Sequence, residues 1–374
     1  MITIEKVGSP KQLKQFIDFP HDLYKGDKSY VPELYVSQRD MLDPKKHPFH
    51  EHSKLELFLA YKDGKLSGRI AAIRNNNHIN FTGKQEGFFG FFEVIKDYEV
   101  AKKLFDTAVE WLKKEVLTNV IGPTSFSTNE IFGWHLDAYD IPPMVSMGYN
   151  KDYYPGFAEK YGFTKYSGHF AYYLTQESIS EKSIRVSEAF EARLKTKGII
   201  IRTVNMKNFS EEAEKSHAVY NSAWAKNSAF VPMTYNEFMH LCKEMKTIMD
   251  PELCFLAEHE GKIIGFSFSF PDINQVLKDV KRGRLLPFGI FKLLFNRGKI
   301  NKFRIVVLGV IEGYRKMGIE AIFYAKTLQY AKKHNMIGAE ASLILENNEM
   351  MNQGLVNLNA SIYKTYRLYQ FPIS

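Results

Sequence analysis

The apolar positions of this chain fall into two successive runs of strand-spaced and helix-spaced segments. Alternation predicts a strand over 2–7. Ser9 before Pro10 then supplies the N-cap and first-turn proline of a helix reaching about Phe19. A short helix follows Pro32. Residues 57–75 alternate around Asp63 and Gly64, the signature of a hairpin with a two-residue turn. An amphipathic helix over 97–114 ends in Lys113 and Lys114. A charged amphipathic helix over 178–198, closed by Gly198, precedes a second strand start at 199–204. Thr234 and Glu237 form a capping box for a helix over 235–249, and a hairpin over 253–270 follows. The chain closes with strand 305–310, helix 318–333, strand 342–346, a helix to about Leu358 and strand 363–369.

The two hairpins carry nearly the same sequence. FLAYKDGKLSG at 58–68 and FLAEHEGKIIG at 255–265 share Phe, Leu, Ala, Gly, Lys and Gly at equivalent positions. Each is followed by a strand and by an amphipathic helix ending in Lys-Lys, which reads as an internal duplication.

The stretch 303–328, FRIVVLGVIEGYRKMGIEAIFYAKTL, is the most specific part of the sequence. Its β-branched run predicts a strand covered on both faces, followed by a glycine-containing turn and a helix start. Backbone N–H groups and the helix dipole at such a turn favour an anion, most simply a phosphate. The segment resembles the signature of the GNAT superfamily, the GCN5-related N-acetyltransferases. Leu308, Gly309 and Val310 stand for the Leu-Ala-Val strand end. Arg315, Lys316, Met317, Gly318, Ile319, Glu320 and Ala321 stand for the Arg/Gln-x-x-Gly-x-Gly/Ala loop, with Glu320 in place of its last glycine.

The resemblance implies a mixed α/β protein of two tandem GNAT-like domains, each a central twisted mixed sheet flanked by helices. The expected boundaries are 1–175 and 199–374, with a linker helix at 176–198. The implied activity is N-acyl transfer from acetyl-CoA or another acyl-CoA to a small-molecule or peptide amine. A catalytically degenerate GNAT pair that binds a ligand or serves as a scaffold is the alternative. The implied cofactor contacts are Leu308, Val310, 315–321 and Asn348, with the Val310 N–H or its neighbour facing the acyl oxygen. Acyl transfer to an amine needs a base and an acid for the departing thiolate. Glu346, at the end of the strand expected to splay, is the first candidate base and Glu312 the second. Tyr363, whose class titrates near 10, is the candidate acid.

The first copy lacks this loop. After 87–94 come Ile95, Lys96, Asp97, Tyr98 and Glu99, with no Arg-x-x-Gly. It keeps the superfamily's closing pattern at Asn150 and over 153–163, a helix capped by Gly162. The hydroxyl-rich stretch 122–130 reads either as a substrate-facing loop or as a surface loop held by its own Ser and Thr bonds.

Charge adds one local feature. The net charge is +8, and nine Lys or Arg between 278 and 304 stand against Asp279 alone. This basic insertion, 271–304, suggests one anionic partner rather than general nucleic-acid binding. Its apolar part is too short to span a bilayer; it reads as a pocket wall on the neighbouring domain or as a segment lying in a membrane interface, lysines outward. The histidines at 47, 50 and 52 lack matching ligands elsewhere, so no metal site is expected. Two cysteines, no apolar N-terminal core and no long apolar run predict a cytoplasmic protein with reduced thiols.

Overall fold

The computed structural model describes residues 1–175, 181–224 and 230–373. Residues 176–180, the start of the expected linker, lie outside the described residues. In chain order the first half forms β1 (Ile2–Lys6), α1 (Pro10–Leu23), α2 (Tyr35–Met41), β2 (Lys54–Lys62), β3 (Lys65–Arg74), α3 (Asn76–Thr82), β4 (Glu86–Val94), α4 (Tyr98–Lys114), β5 (Asn119–Gly122), β6 (Trp134–His135), α5 (Tyr154–Tyr161) and β7 (Thr164–Thr175). The second half forms α6 (Glu181–Lys195), β8 (Ile199–Thr203), α7 (Phe209–Trp224), α8 (Tyr235–Met245), β9 (Cys254–His259), β10 (Lys262–Pro271), α9 (Asn274–Leu277), α10 (Gly289–Asn296), β11 (Lys302–Val310), α11 (Ile319–Lys333), β12 (Gly338–Leu345), α12 (Glu349–Asn357) and β13 (Ser361–Pro372).

The duplication extends to backbone register. In β2–β3, Ala60 faces Gly68 and Tyr61 faces Leu66, so Ser67 is bulged out of the ladder. In β9–β10, Ala257 faces Gly265 and Glu258 faces Ile263, which bulges Ile264 in the same place. Both turns hold two residues at positive φ, Asp63 and Gly64 at 49° and 75°, Glu260 and Gly261 at 51° and 75°. That pair of conformations defines the two-residue hairpin turn matching strand twist. The next strand keeps step as well: Gly68 faces Val94, and Gly265 faces Val310.

Compactness groups residues 1–169, 274–297 and 364–374 into one unit, and 170–273 with 298–363 into the other. The first unit orders its strands β1-β2-β3-β4-β5-β13, with β6 also on β13. Tyr369 of β13 faces Gly122, so the chain's last strand completes the first unit's sheet. The second unit orders β7-β12-β11-β10-β9-β8. Part of the basic insertion belongs with the first unit, where Arg282 binds Asp22 at 2.7 Å and Arg284 binds Asp18 at 2.8 Å.

Helix α1 runs past Phe19, through Pro20, for another turn. A proline there has no N–H for the carbonyl of Phe16. Arg69 Nη1 donates to that carbonyl at 2.7 Å instead, which keeps Phe16, Ile17 and Phe19 in the core. The stretch 122–130 is core-packed at 122–124, Phe126 and Ser127, with Ser125 and 128–130 half-buried. Phe126 is fully buried and stacks on Phe49 at 4.3 Å, and Ser127 donates to Glu130 through its N–H and its Oγ.

Candidate functional site

In the second unit, β11 and β12 run parallel only from Lys302 opposite Gly338 to Ile305 opposite Ala341. Beyond Ile305 the ladder ends, while β11 continues along β10 to Val310 opposite Gly265. The Ile311 N–H donates to the Ile264 carbonyl at 3.0 Å. Because antiparallel strands alternate the direction of successive N–H groups, the Val310 N–H points away from β10, to the side β12 has left.

The following loop turns on Gly313, Lys316 and Gly318, at φ of 95°, 63° and 91°. Gly318 occupies the N-cap of α11 and offers no side-chain cap, so the first-turn amides of Ile319, Glu320 and Ala321 face outward without one. A Cβ on Gly318 would sit 3.5 Å from the Phe190 ring and adopt a left-handed backbone. Ile319 is fully buried and anchors the helix start, while Lys316 and Ala321 are exposed and Met317, Glu320 and Leu308 are half-buried. A strand end with a free-facing N–H, followed by a cap-less helix start, suits a carbonyl oxygen and a phosphate respectively. These residues therefore fit an acyl-CoA.

Arg315 is a fastener in this structure. Its Nε donates to the Val310 carbonyl at 2.9 Å and its Nη2 to the Ala223 carbonyl at 3.0 Å, tying the loop to the end of α7. Asn348, expected at the cofactor, caps α12 by accepting from the Met351 N–H at 3.2 Å. Glu346 and Glu312 are exposed, at the ends of β12 and β11. Tyr363 joins a buried polar group, its hydroxyl donating to Glu340 Oε2. Glu340 is fully buried, 3.3 Å from Arg304 Nε, and accepts from Ser342 Oγ at 2.5 Å.

That group was missed in the sequence. Its signal was a lone Arg and a lone Glu inside apolar strands, FRIVV and AEASL, with Ser342 two residues on from Glu340 and so on the same face. A buried charge must find a partner, so either residue alone predicts the other sign nearby.

The corresponding place in the first unit is filled. The ladder of β4 and β5 is shorter still, from Glu86 opposite Asn119 to Phe88 opposite Ile121. The Ile95 N–H donates to the Ser67 carbonyl at 3.0 Å, which turns the Val94 N–H outward as at Val310. Here the fully buried Tyr154 hydroxyl accepts from Val94 N–H at 2.9 Å, and Tyr153 donates to the Val94 carbonyl at 2.8 Å. Tyr154 also donates to Glu93 at 2.7 Å, beside Tyr24 at 2.9 Å. The first unit thus lacks the loop and plugs the strand end with its own tyrosines.

The histidines near residue 50 serve local structure. His47 Nδ1 accepts from the Phe49 N–H at 3.3 Å, and His50 Nε2 meets the Met41 carbonyl at 3.1 Å. Cys242 and Cys254 are free, and burial pushes both thiols up, Cys242 to about 12.

No protein-family model matches the chain. It is 30% identical over 382 residues to a Caulobacter vibrioides protein described as a bacterial ceramide synthase, covering 99% of this chain and 97% of that protein. It is 30% identical over 367 residues to protein YghO of Escherichia coli, covering 96% and 93%. A tandem GNAT protein from the clavulanic acid biosynthesis pathway superposes with a TM-score of 0.56 at 11% identity, covering 100% of this chain and 99% of that one. A GCN5-related N-acetyltransferase from Sphaerobacter thermophilus gives 0.53 at 12%, covering 100% and 96%. At these identities the structural likeness concerns the fold alone.

Proposed function

We propose, from the premise that the chain belongs to the GNAT superfamily and to the family of the bacterial ceramide synthase and YghO, that it is an acyl-CoA-dependent N-acyltransferase acting on a long-chain amine. The observation that carries the reaction class is the Val310 N–H turned into the gap beside β11, one loop ahead of the cap-less start of α11. The acceptor class rests on the relative's name. A ceramide is a long-chain amino alcohol acylated on nitrogen, and the likeness spans both chains nearly end to end.

Bound acyl-CoA would supply an acyl group activated as a thioester. The first-turn amides of α11 would hold its phosphates, and Val310 would donate to the acyl oxygen. An ammonium acceptor must lose a proton before its nitrogen can form the amide bond. The exposed carboxylates Glu346 and Glu312 are the candidate bases. The C–S bond would break as the C–N bond forms, the nitrogen giving up its second proton and the departing thiolate taking one up. Tyr363 is not proposed as its source, since its own proton is engaged by Glu340.

Purified protein incubated with long-chain acyl-CoA and a long-chain amino alcohol should release free CoA thiol and give the amide by mass spectrometry. Thiol release without amide would make it a thioesterase. Binding of acyl-CoA with neither product would favour the catalytically degenerate pair, for which the plugged first unit is the supporting observation.

A further inference from the structure

Residues 286–295 expose an unusual density of large apolar side chains. Leu286 is 78% exposed, Phe288 72%, Phe291 53%, Leu294 62% and Phe295 81%. Single exposed hydrophobics are ordinary on a protein surface, whereas contiguous ones mark contacts. With Ile290 at 36%, six fall within ten residues of sequence and need a reason.

The segment is held out by its base. Arg282 and Arg284 bind Asp22 and Asp18 of α1, and Arg284 also lies 3.9 Å over the Tyr35 ring. Gly283, at φ 62°, packs so closely that a Cβ would stand 1.8 Å from the Glu33 carbonyl oxygen. Gly289 is as tightly placed, with a Cβ 2.2 Å from the Arg284 carbonyl oxygen. The base is therefore fixed, and the apolar tip is presented rather than frayed. Around it lie exposed Lys278, Lys281, Lys292 and Arg297, with Asp279 the one acid of the stretch.

An apolar tip with a cationic rim matches the layering of an anionic bilayer, hydrocarbon beneath negatively charged headgroups. A protein partner would meet the apolar tip but would gain less from a rim in which the cations outnumber Asp279 four to one. No helix of the described residues is long and apolar enough to cross a membrane, so the contact is superficial. We propose that the α10 segment, residues 286–295, docks the protein onto an anionic membrane surface, with Phe288, Phe291 and Phe295 entering the headgroup region and Lys281, Lys292 and Arg297 meeting lipid phosphates. This stands on the exposed side chains and holds whatever the acceptor amine is.

The test is vesicle flotation of the full chain at about 50 mM and about 500 mM salt. The vesicles are phosphatidylcholine alone, or with about one part in four of phosphatidylglycerol. The protein should float with the anionic vesicles at low salt and lose most of that binding at high salt. Replacing Phe288, Phe291 and Phe295 together by Ser should weaken partitioning on the order of a hundredfold or more. Replacing Lys281, Lys292 and Arg297 by Gln should weaken it at least about tenfold, on anionic vesicles only. Unchanged melting temperatures would show that both variants fold. Three results would overturn the proposal: no flotation of the unaltered protein on anionic vesicles at low salt, equal flotation of the triple-Ser variant, or an oligomer that the triple-Ser change dissociates without any vesicle binding. The last would make the segment a contact between copies of this chain.

Discussion

Glu93→Gln probes the carboxyl behind the plugged strand end of the first unit. Glu93 is buried, and its Oε2 accepts from Tyr154 and Tyr24. Burial pushes its pKa from 4.5 to about 7, against the pull of the Arg69 guanidinium. Between those values the folded protein holds a proton that the unfolded chain has released. The associated stability is therefore complete below pH 4.5 and is lost as pH rises through 7. At about 1.4 kcal/mol per pH unit the loss approaches 3 kcal/mol above about pH 7.5. His21 works the other way. Burial, then Arg69 and Arg282, lower it from 6.5 to about 4, so its contribution is present above 6.5 and lost as pH falls through 4. From pH 4.5 to 6.5 these two slopes oppose and largely cancel each other, while His135, lowered by burial to about 4, adds a slope in the direction of His21. Gln keeps an acceptor oxygen for both tyrosines and cannot ionise, so the variant removes the Glu93 slope and leaves those of His21 and His135. Urea unfolding followed by tryptophan fluorescence is the assay, since buried Trp134 packs against Tyr154. Unaltered protein minus variant should lose about 3 kcal/mol of stability between pH 4.5 and 7.5, every other titrating group cancelling in the difference. A difference constant to within about 0.5 kcal/mol across that range would refute the argument.

Three further outcomes are expected. Tyr154→Phe leaves the buried Val94 N–H without its acceptor and removes one donor from Glu93, and should cost the first unit about 1–3 kcal/mol by urea unfolding. Arg315→Met frees the Val310 and Ala223 carbonyls, and calorimetry should find CoA bound on the order of tenfold more weakly as the loop loses its fastening. Tyr363→Phe takes a donor from buried Glu340 and should destabilise the second unit by about 1–3 kcal/mol; if Tyr363 supplies no proton to the reaction, the pH profile of turnover stays unmoved.

Local chemistry was legible in the chain and distant pairing was not. The hairpins could be read because each carries its turn residues and alternation within eleven positions, and the shared bulge at Ser67 and Ile264 follows from that shared sequence. The loop before α11 could be read because Gly313 and Gly318 mark the positive-φ positions where the chain must turn. The first helix reads to about Phe19 in the sequence; its continuation through Pro20 could not be read, because the partner for the Phe16 carbonyl is Arg69, 53 positions away. The pairing of β13 with β5 was hidden because adjacency in sequence assigns a closing strand to its own copy. Nothing in Tyr153 and Tyr154 announces that their hydroxyls end at Val94, since their pattern reads only as the start of a helix. Asn348 and Tyr363 show the same limit, with residue types suited to a site but side chains spent on a cap and on Glu340.

The central claim is that the second unit alone holds coenzyme A, at the loop between β11 and α11. Glu320 bears on it most, because a carboxylate in the first turn of α11 repels a phosphate by about 0.5–2 kcal/mol per unit charge at roughly 8 Å. Several backbone hydrogen bonds to a charged group, at about 1.5–3 kcal/mol each, outweigh that. Calorimetric titration of CoA into the full chain is the direct measurement. The account predicts one site per chain, affinity unchanged or modestly tighter in Glu320→Gly, and binding abolished in Gly318→Glu, where a left-handed backbone opposes any side chain and a carboxylate is added at the helix start. No heat of binding from either the unaltered protein or Glu320→Gly would contradict it, as would binding that survives Gly318→Glu.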